Sequence, residues 1–192
     1  LRIVDEVCRR QRDPTTKFLV FTEFVATQEY LTEALRGSGY EVVCINGQVK
    51  PEKRVLAREA FRTDAQFMIS TDAGGEGVNL QFCHVVINYD LPWNPMRLEQ
   101  RIGRVDRIGQ EYDVLVFNML VGDTIEDRVR QVLERKLDLI REPFGEDKLA
   151  DILSTLQDDF NFDRIFIDAV RKRNAQAGEL EALAQQIYER AR

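Results

Sequence analysis

The sequence predicts an α/β fold in which helices flank a parallel sheet, and two observations lead to that prediction. Short apolar runs alternate with helical patterns at close intervals across residues 1–120, and this alternation is typical of a parallel sheet wrapped by helices. Polar and glycine-rich segments directly follow several of the apolar runs. Because ligands of parallel sheets bind at the carboxyl ends of the strands, these segments could converge on one ligand.

The elements can be assigned one by one. A short apolar run bounded by turn residues predicts a strand, and apolar residues at helical spacing predict a helix. Gly37 and Gly39 mark the end of one helix, and Pro51 suits the first turn of the next. The predicted order is a helix near 1–11, a strand at 18–21, a helix near 25–36, a strand at 42–45, a helix from Pro51 to about Arg62, a strand at 67–71, a glycine-rich loop at 72–79, a strand at 85–89, a helix near 96–104 and a strand at 114–120.

The pattern changes near Thr124. From Ile125 to Ile140 the apolar residues recur with a 3.6-residue period, which predicts one long amphipathic helix. A proline and a glycine then interrupt the pattern, and mostly helical segments follow. We therefore expect an α/β domain over residues 1–140 and a helical C-terminal extension over residues 141–192. The extension could cap an exposed part of the sheet, or its helices could recruit a protein partner.

Composition limits the classes of protein to which the chain can belong. Of its 192 residues, 44% are apolar and 31% are charged, and the net charge is −6. A globular fold is therefore expected, and a broad basic surface for nucleic acid is not. No apolar run is long enough to span a bilayer, so we expect no membrane partner. The lack of a signal peptide and of an initial Met indicates a piece of a longer, cytoplasmic protein.

The cysteines and the histidine do not form a recognisable site. Cys8, Cys44 and Cys83 are far apart and form no Cys-x-x-Cys pair, so we expect reduced thiols rather than a zinc site or disulfides. No metal site is predicted within the chain. His84 stands at the start of an apolar strand, where a structural role is expected.

A glycine-rich loop follows the strand at 67–71. Residues 70–79 read Ser-Thr-Asp-Ala-Gly-Gly-Glu-Gly-Val-Asn. Glycines let a backbone approach a ligand closely and present amides to a phosphate, and Thr71 adds a hydroxyl. A tight turn from a strand into a helix would also favour glycine, so the residues alone leave both interpretations open.

A run of arginines spaced three residues apart follows the fourth strand. Arg101, Arg104 and Arg107 lie within the segment Gln-Arg-Ile-Gly-Arg-Val-Asp-Arg-Ile-Gly-Gln at residues 100–110. Guanidinium groups suit a polyphosphate because they carry a permanent charge and donate in a bidentate fork. A surface helix can carry such charge for solubility alone, but a plain solvated helix would avoid two glycines. The segment therefore predicts phosphate binding.

Other parts of a nucleotide site are missing from the sequence. The chain contains no Gly-Lys dipeptide, which a phosphate-binding loop of the usual kind requires. The segment 3–6 looks like a magnesium-binding acidic motif only superficially, because its apolar run is short and it fits an opening helix better. The chain thus has arginines that could contact phosphates, but it lacks the motifs that hold the nucleotide and the metal. This combination indicates half of a site that another domain completes.

Five motifs occur in order along the chain and support a resemblance to a known family. They are Phe18–Phe24, Asn46–Gly47 with Arg54, Ser70–Leu80, Asp90–Pro95 and Gln100–Gln110. Together they resemble the second RecA-like domain of superfamily-two helicases over residues 15–140. The Gly-Gly-x-Gly-x-Asn-Leu loop, the Trp-Asn-Pro turn and the final Arg-Ile-Gly-Gln are similar to those of Swi/Snf-type ATPases.

The resemblance implies that ATP binds between two RecA-like domains. The N-terminal domain of the same parent chain would hold the phosphates and magnesium, and this domain would be inactive alone. Arg101 is expected to be a solvated or interdomain charge. The residues that match site positions are Arg104 and Arg107 as arginine fingers, Gln100 at the γ-phosphate or the attacking water, Gly75, Gly77 and Gly103 as close approaches to the nucleotide, and Asn79 as a ribose contact.

The same resemblance implies contacts with the backbone of double-stranded DNA. Thr71 and the loop that begins at Gly74 match a motif that links the ATP state to DNA. Thr22, Gly47 and Gln48 fall in loops that face the same groove. Such contacts are made to phosphates, so they are independent of base sequence and sensitive to salt.

Two positions depart from the Swi/Snf pattern. Asp106 stands where many eukaryotic remodellers carry histidine, and Gly103 stands where they often carry aspartate. These departures favour a prokaryotic branch that acts on DNA or on its bound proteins, in a cytoplasmic, nucleoid-associated location. Two alternatives remain open: a strand-separating helicase on RNA or DNA, and a non-catalytic interaction domain whose motifs serve folding.

Overall fold

The computed structural model describes residues 1–75, 78–92 and 95–120. Within them, Leu1–Pro92 and Arg97–Met119 form one compact unit. The long helix predicted from Thr124 and the helical extension predicted over 141–192 lie outside the described residues. The boundary at residue 140 therefore stays a prediction.

The described residues form a five-stranded parallel sheet with helices between the strands. The sheet order is β2-β3-β1-β4-β5, and every neighbouring pair is parallel. The predicted α/β class is therefore confirmed. The elements are α1 (Arg2–Gln11), β1 (Phe18–Phe21), α2 (Val25–Gly37), β2 (Val42–Ile45), α3 (Pro51–Thr63), β3 (Phe67–Ser70), α4 (Asp72–Gly75), β4 (Val85–Asn88), α5 (Pro95–Ile102) and β5 (Leu115–Asn118).

The three central strands are buried along their whole length. All four residues of β1, β3 and β4 are buried, as expected for parallel strands that are covered on both faces. Phe18 opens β1 opposite Phe67 of β3 on one side and Val85 of β4 on the other. The three strands therefore end at the same level, and the loops that follow them meet at one edge of the sheet.

Alternating side chains of the strands build a separate core on each face of the sheet. Leu19 and Phe21 of β1 pack in a cluster with Phe61 of α3. Phe18 and Val20 pack in a second cluster with residues of α1. This division follows from the two-residue period of a strand, and it fixes which faces of β1 the helices cover.

The structure differs from the predicted loop at 72–79. Residues Asp72–Gly75 form the short helix α4, so the prediction of a loop at these positions was wrong. The Thr71 hydroxyl accepts a hydrogen bond from the amide of Gly74 at 3.3 Å, which satisfies a donor that the first turn of a helix leaves open. The turn from strand into helix that the residues had left as an alternative is therefore present.

Candidate functional site

A cavity of about 590 Å³ opens at the carboxyl ends of the strands. Loops after β1, β2 and β3 contribute to its wall, and α5 lines another part of it. The structure therefore brings residues predicted for DNA and residues predicted for ATP into one cavity. The predicted residues that line it are Gly47, Gln48, Thr71, Gln100 and Arg104, and Arg101 lies among them.

Close contact between two backbones fixes one wall of this cavity. A Cβ atom added at Gly74 would lie 2.4 Å from the carbonyl oxygen of Ile45 and 2.6 Å from the backbone of Asn46. A Cβ added at Gly47 would lie 3.2 Å from the Cβ of Ala73. Glycine is therefore required at position 74 for α4 to pack on the loop between β2 and α3.

The loop after β1 is held by a carboxylate from the end of β4. The side chain of Thr22 is fully buried, and its hydroxyl donates to Oδ2 of Asp90. The amide of Glu23 donates to the same carboxylate, at 2.9 Å to Oδ1. Thr22 is therefore not part of the cavity wall, and its side chain orients the loop from within.

Arg101 is buried at the centre of this arrangement, and the expectation that it is a solvated or interdomain charge was wrong. Its side chain is 2% exposed. Nε lies 2.6 Å from Oδ1 of Asp72, and Nη2 lies 3.1 Å from Oδ2. Nη1 donates to the carbonyl oxygen of Asp90 at 2.7 Å and to the side chain of Asn88 at 3.3 Å. The guanidinium also lies over the ring of Phe21, 5.3 Å from its centroid.

A second arginine and a glutamate stand at the opening of the cavity. Nη1 of Arg97 lies 3.6 Å from Oε1 of Glu23. Burial raises the pKa of Glu23, and the negative charges of Asp72 and Asp90 raise it further, against the opposing effect of the arginines. The site therefore combines cations with carboxylates, and Arg101 is the cation that the carboxylates enclose.

Arg107 occupies a different place from Arg104. Its side chain is exposed, and its Nε donates to the carbonyl oxygen of Gly103 at 2.9 Å. It does not line the cavity that Arg104 lines. The two predicted fingers therefore do not face one common space in this arrangement of the described residues.

Two glutamines hold the loop that carries Arg107. The Nε2 of Gln110 donates to the carbonyl oxygens of Gln81, Cys83 and Val105 at 2.9–3.1 Å. In return, the Nε2 of Gln81 donates to the carbonyl oxygen of Ile108 at 2.8 Å. Neither role could be predicted from the sequence, because a glutamine that donates to backbone carbonyl oxygens has no distinctive sequence pattern.

The other predicted nucleotide contacts are not among the described residues that line the cavity. The side chain of Asn79 accepts from the amide of Gln81 and donates to its side chain, both at 3.1 Å. Gly103 follows α5, and its amide donates to the carbonyl oxygen of Glu99 at 2.8 Å. Gly75 ends α4, and Gly77 lies outside the described residues. Neither Asn79 nor Gly103 lines the cavity.

The cysteines do not belong to a metal-binding cluster in the described part of the chain. All three are free thiols, and the described residues contain no cluster of three or more histidines, cysteines and carboxylates that could hold a metal ion. Burial raises the pKa of Cys83 to about 12. No helix among these residues is long and apolar enough to cross a membrane.

The chain matches a known family of domains. Residues 1–109 match the model of the helicase conserved C-terminal domain. The chain is 48% identical over 141 residues to an uncharacterized ATP-dependent helicase, YqhH, of Bacillus subtilis, covering 73% of this chain and 25% of that protein. It is 35% identical to the human SWI/SNF-related matrix-associated actin-dependent regulator of chromatin subfamily A member 1, covering 71% of this chain and 14% of that protein. The chain thus spans a quarter or less of these relatives.

Solved structures show the same fold. The C-terminal part of the Fun30 ATPase domain aligns with 68% of this chain and 42% of that chain, with a TM-score of 0.62 and 26% identity. The helicase domain of Pyrococcus furiosus Hef aligns with 68% of this chain and 26% of that chain, with a TM-score of 0.55 and 22% identity. The second likeness concerns the fold alone.

Proposed function

The chain belongs to the helicase conserved C-terminal domain family, and on that premise we propose that it is the C-terminal motor half of a DNA-dependent ATPase that translocates on duplex DNA. Its relatives include SWI/SNF-related ATP-dependent helicases. The observation that carries the proposal is the cavity at the carboxyl ends of the strands. It joins Gln100 and Arg104 of the arginine segment to Gly47, Gln48 and Thr71 of the loops.

In this proposal, ATP lies between the present domain and an N-terminal RecA-like domain of the same parent chain. That domain would hold the phosphates and most of the magnesium coordination. Arg104 would stabilise the negative charge that spreads over the transferring phosphoryl group, an effect worth roughly 10³–10⁵ in rate for arginine fingers. Gln100, one turn before Arg104 on the same segment, would contact the γ-phosphate or the attacking water.

Arg107 is proposed as the second finger, with a smaller part in the chemistry. Its Nε donates to the backbone of its own loop, and it would reach a phosphate through the other N–H groups of the guanidinium. Gly75, Gly77 and Gly103 are proposed to allow the nucleotide to approach, and Asn79 is proposed to contact the ribose.

The DNA contacts are proposed to come from the loops after β1, β2 and β3. Gly47, Gln48 and Thr71 line the cavity, and backbone amides near them suit phosphate oxygens. Gly74 would act by keeping α4 close to the second loop, and Thr22 by orienting the first. A net charge of −6 is compatible with this mode, because a narrow line of amides and hydroxyls replaces a basic surface.

The proposal is tested by ATP turnover of the full-length parent protein with and without duplex DNA. Arg104→Ala is expected to lower DNA-stimulated turnover by about 10³-fold or more, and Arg107→Ala by less. Arg62→Ala is the matched control, because Arg62 is exposed on α3 and pairs with Glu59 of the same helix. Near-normal turnover in both finger variants would contradict the roles given to them. Unwinding of a labelled duplex by the full-length protein would favour the strand-separating alternative, and a wild-type protein without ATP turnover would favour the interaction domain.

A further inference from the structure

Arg101 makes a set of buried hydrogen bonds to which the proposed function gives no role. It lies in α5 directly after Gln100 and three residues before Arg104. Its guanidinium donates to Asp72, which opens α4, and to Asn88 and Asp90 at the end of β4. One buried side chain therefore ties α5 to the ends of two strands.

Asp90 extends this connection to a third strand. One of its carboxylate oxygens accepts the hydroxyl of Thr22, and the carboxylate also accepts the amide of Glu23. Oδ1 of Asp90 lies 3.5 Å from Nη2 of Arg101. The network thus runs from the loop after β1, through Asp90 and Arg101, to α5. A second branch runs through Asp72 to Thr71, which lines the cavity.

The chemistry of the network makes it rigid. The guanidinium is planar and permanently charged, and its paired bonds to Asp72 set the direction of the side chain as well as its position. At 2% exposure, water cannot replace a partner that moves away, and a buried charge without partners is strongly unfavourable. A displacement of Asp72 or Asp90 must therefore be followed by Arg101, and with it by α5.

We propose that Arg101 is a positioning residue that couples the DNA-facing loops to Gln100 of α5 and to Arg104, which follows α5. Contacts of DNA phosphates with the loops after β1 and β3 would shift Asp90 and Asp72. Arg101 would transmit this shift to Gln100 and Arg104, and so make ATP turnover respond to DNA. Arg101 touches neither ligand. The inference rests on the proposed function, since it assumes a DNA-stimulated ATPase.

The test uses the full-length parent protein and measures ATP turnover with and without saturating duplex DNA, together with the KM for ATP and the Kd for DNA. Arg101→Met keeps the length of the side chain and removes the charge, and Arg101→Lys keeps the charge and removes the fork. Arg101→Met is expected to lower the stimulation by DNA by roughly 5–150-fold, the range of typical coupling energies. Turnover without DNA, KM and Kd should change little, and Arg101→Lys should be intermediate.

Val7→Ala is the control for a loss of stability. Val7 is buried in α1, in the cluster on one face of the sheet, and none of its neighbours in that cluster lies in α5. It should lower the unfolding midpoint and leave the stimulation ratio unchanged. Asp72→Asn supplies a second variant if Arg101→Met does not fold, because the amide keeps one acceptor and removes the charge; it should also lower the stimulation ratio.

The outcomes separate this inference from the proposed function. A wild-type protein whose ATP turnover does not respond to DNA would overturn both. A stimulated wild type together with folded Arg101 variants that keep the full stimulation ratio would overturn the coupling role alone. Turnover that falls equally with and without DNA would also overturn it, because Arg101 would then act on the chemistry. Hydrogen exchange adds a direct readout. In the wild type, DNA should slow amide exchange in both the loops and α5. In Arg101→Met, DNA should slow exchange in the loops but not in α5.

Discussion

At the scale of single residues, buried polar side chains take the hydrogen bonds that the strand ends leave open. Gln28 is the main example in α2, where it is 2% exposed. Its Nε2 donates to the carbonyl oxygens of Ile45 and Ile69, at 3.0 and 2.8 Å, and its Oε1 accepts from Asn46 at 3.0 Å. Because a buried carbonyl without a donor costs about 1–3 kcal/mol, such residues fix the loops as firmly as apolar packing does.

His84 is a half-buried polar contact, and it predicts a dependence of stability on pH. Its Nε2 lies 2.7 Å from Nε2 of Gln11. With the Gln11 amide as the donor, the imidazole accepts this hydrogen bond in its neutral form. Burial lowers the pKa of His84 below its ordinary value of 6.5, against the opposing charge of Asp13.

The sign of the effect follows from the direction of that shift. Below about pH 6.5, His84 binds a proton in the unfolded chain but not yet in the folded chain. The free energy of unfolding therefore falls as the pH falls towards the lowered pKa of the folded state. The variant His84→Phe keeps an aromatic ring stacked on Tyr112 and removes the titratable imidazole. Urea unfolding between about pH 7.5 and 5.5 should show a steeper loss of stability in the wild type than in the variant. Equal slopes would contradict the prediction, and since the chain has one histidine, no other imidazole can mask it.

At the scale of elements, the geometry of the cavity depends on how α4 sits on the loop between β2 and α3. The two backbones are so close that the side chain of any residue other than glycine would overlap at position 74. The sequence shows a cluster of glycines there but does not show which of them carries this constraint. That information lies in the contact between two segments, about thirty residues apart along the chain, and so it required the structure.

Gly74→Ala and Gly37→Ala form a matched pair that tests this contact. The added methyl group at position 74 would meet backbone atoms at 2.4–2.6 Å, whereas at position 37 nothing lies within 4 Å. Gly74→Ala is expected to lower the free energy of unfolding by about 1–3 kcal/mol, as overpacking does. Gly37→Ala should leave the free energy of unfolding unchanged or raise it by up to about 1 kcal/mol, because alanine has a higher helix propensity than glycine at the end of α2. Denaturant unfolding measures both, and equal stability of the two variants would show that α4 can move without cost.

At the scale of the whole molecule, the sequence predicted the α/β class, the order of the strands and of every described helix except α4, and most element bounds within one or two residues. It did so because apolar runs, glycines and a proline are local signals. The role of Arg101 could not be predicted from its charge, since solvation is the usual fate of an arginine on a helix. One signal was present: Leu98, Arg101 and Val105 share helical spacing, which places Arg101 on the apolar side of its segment. Its acceptors, Asp72 and Asp90, are far away in sequence, and no sequence pattern indicates that they are the partners of Arg101.

A prediction about the whole molecule concerns the incomplete site. The chain alone is expected to release no phosphate from ATP, with or without duplex DNA, because the groups that hold the phosphates and magnesium are proposed to lie in the N-terminal domain. The full-length parent protein, assayed for phosphate release under the same conditions, is the positive control. Sustained hydrolysis by the chain alone would contradict the proposed division of the site.

The order of the sheet has a consequence for how the chain folds during synthesis. β1 emerges from the ribosome first among the strands, yet it occupies the centre and pairs with β3 and β4. One of its hydrogen-bonding edges therefore remains open until residue 70 has been made, and the other until residue 88 has been made. At about 5–20 residues per second this interval lasts several seconds, and an apolar strand with two open edges is a template for pairing with the wrong chain. We therefore expect a nascent chain of this domain to expose the apolar segment Phe18–Phe21 to chaperones during this interval.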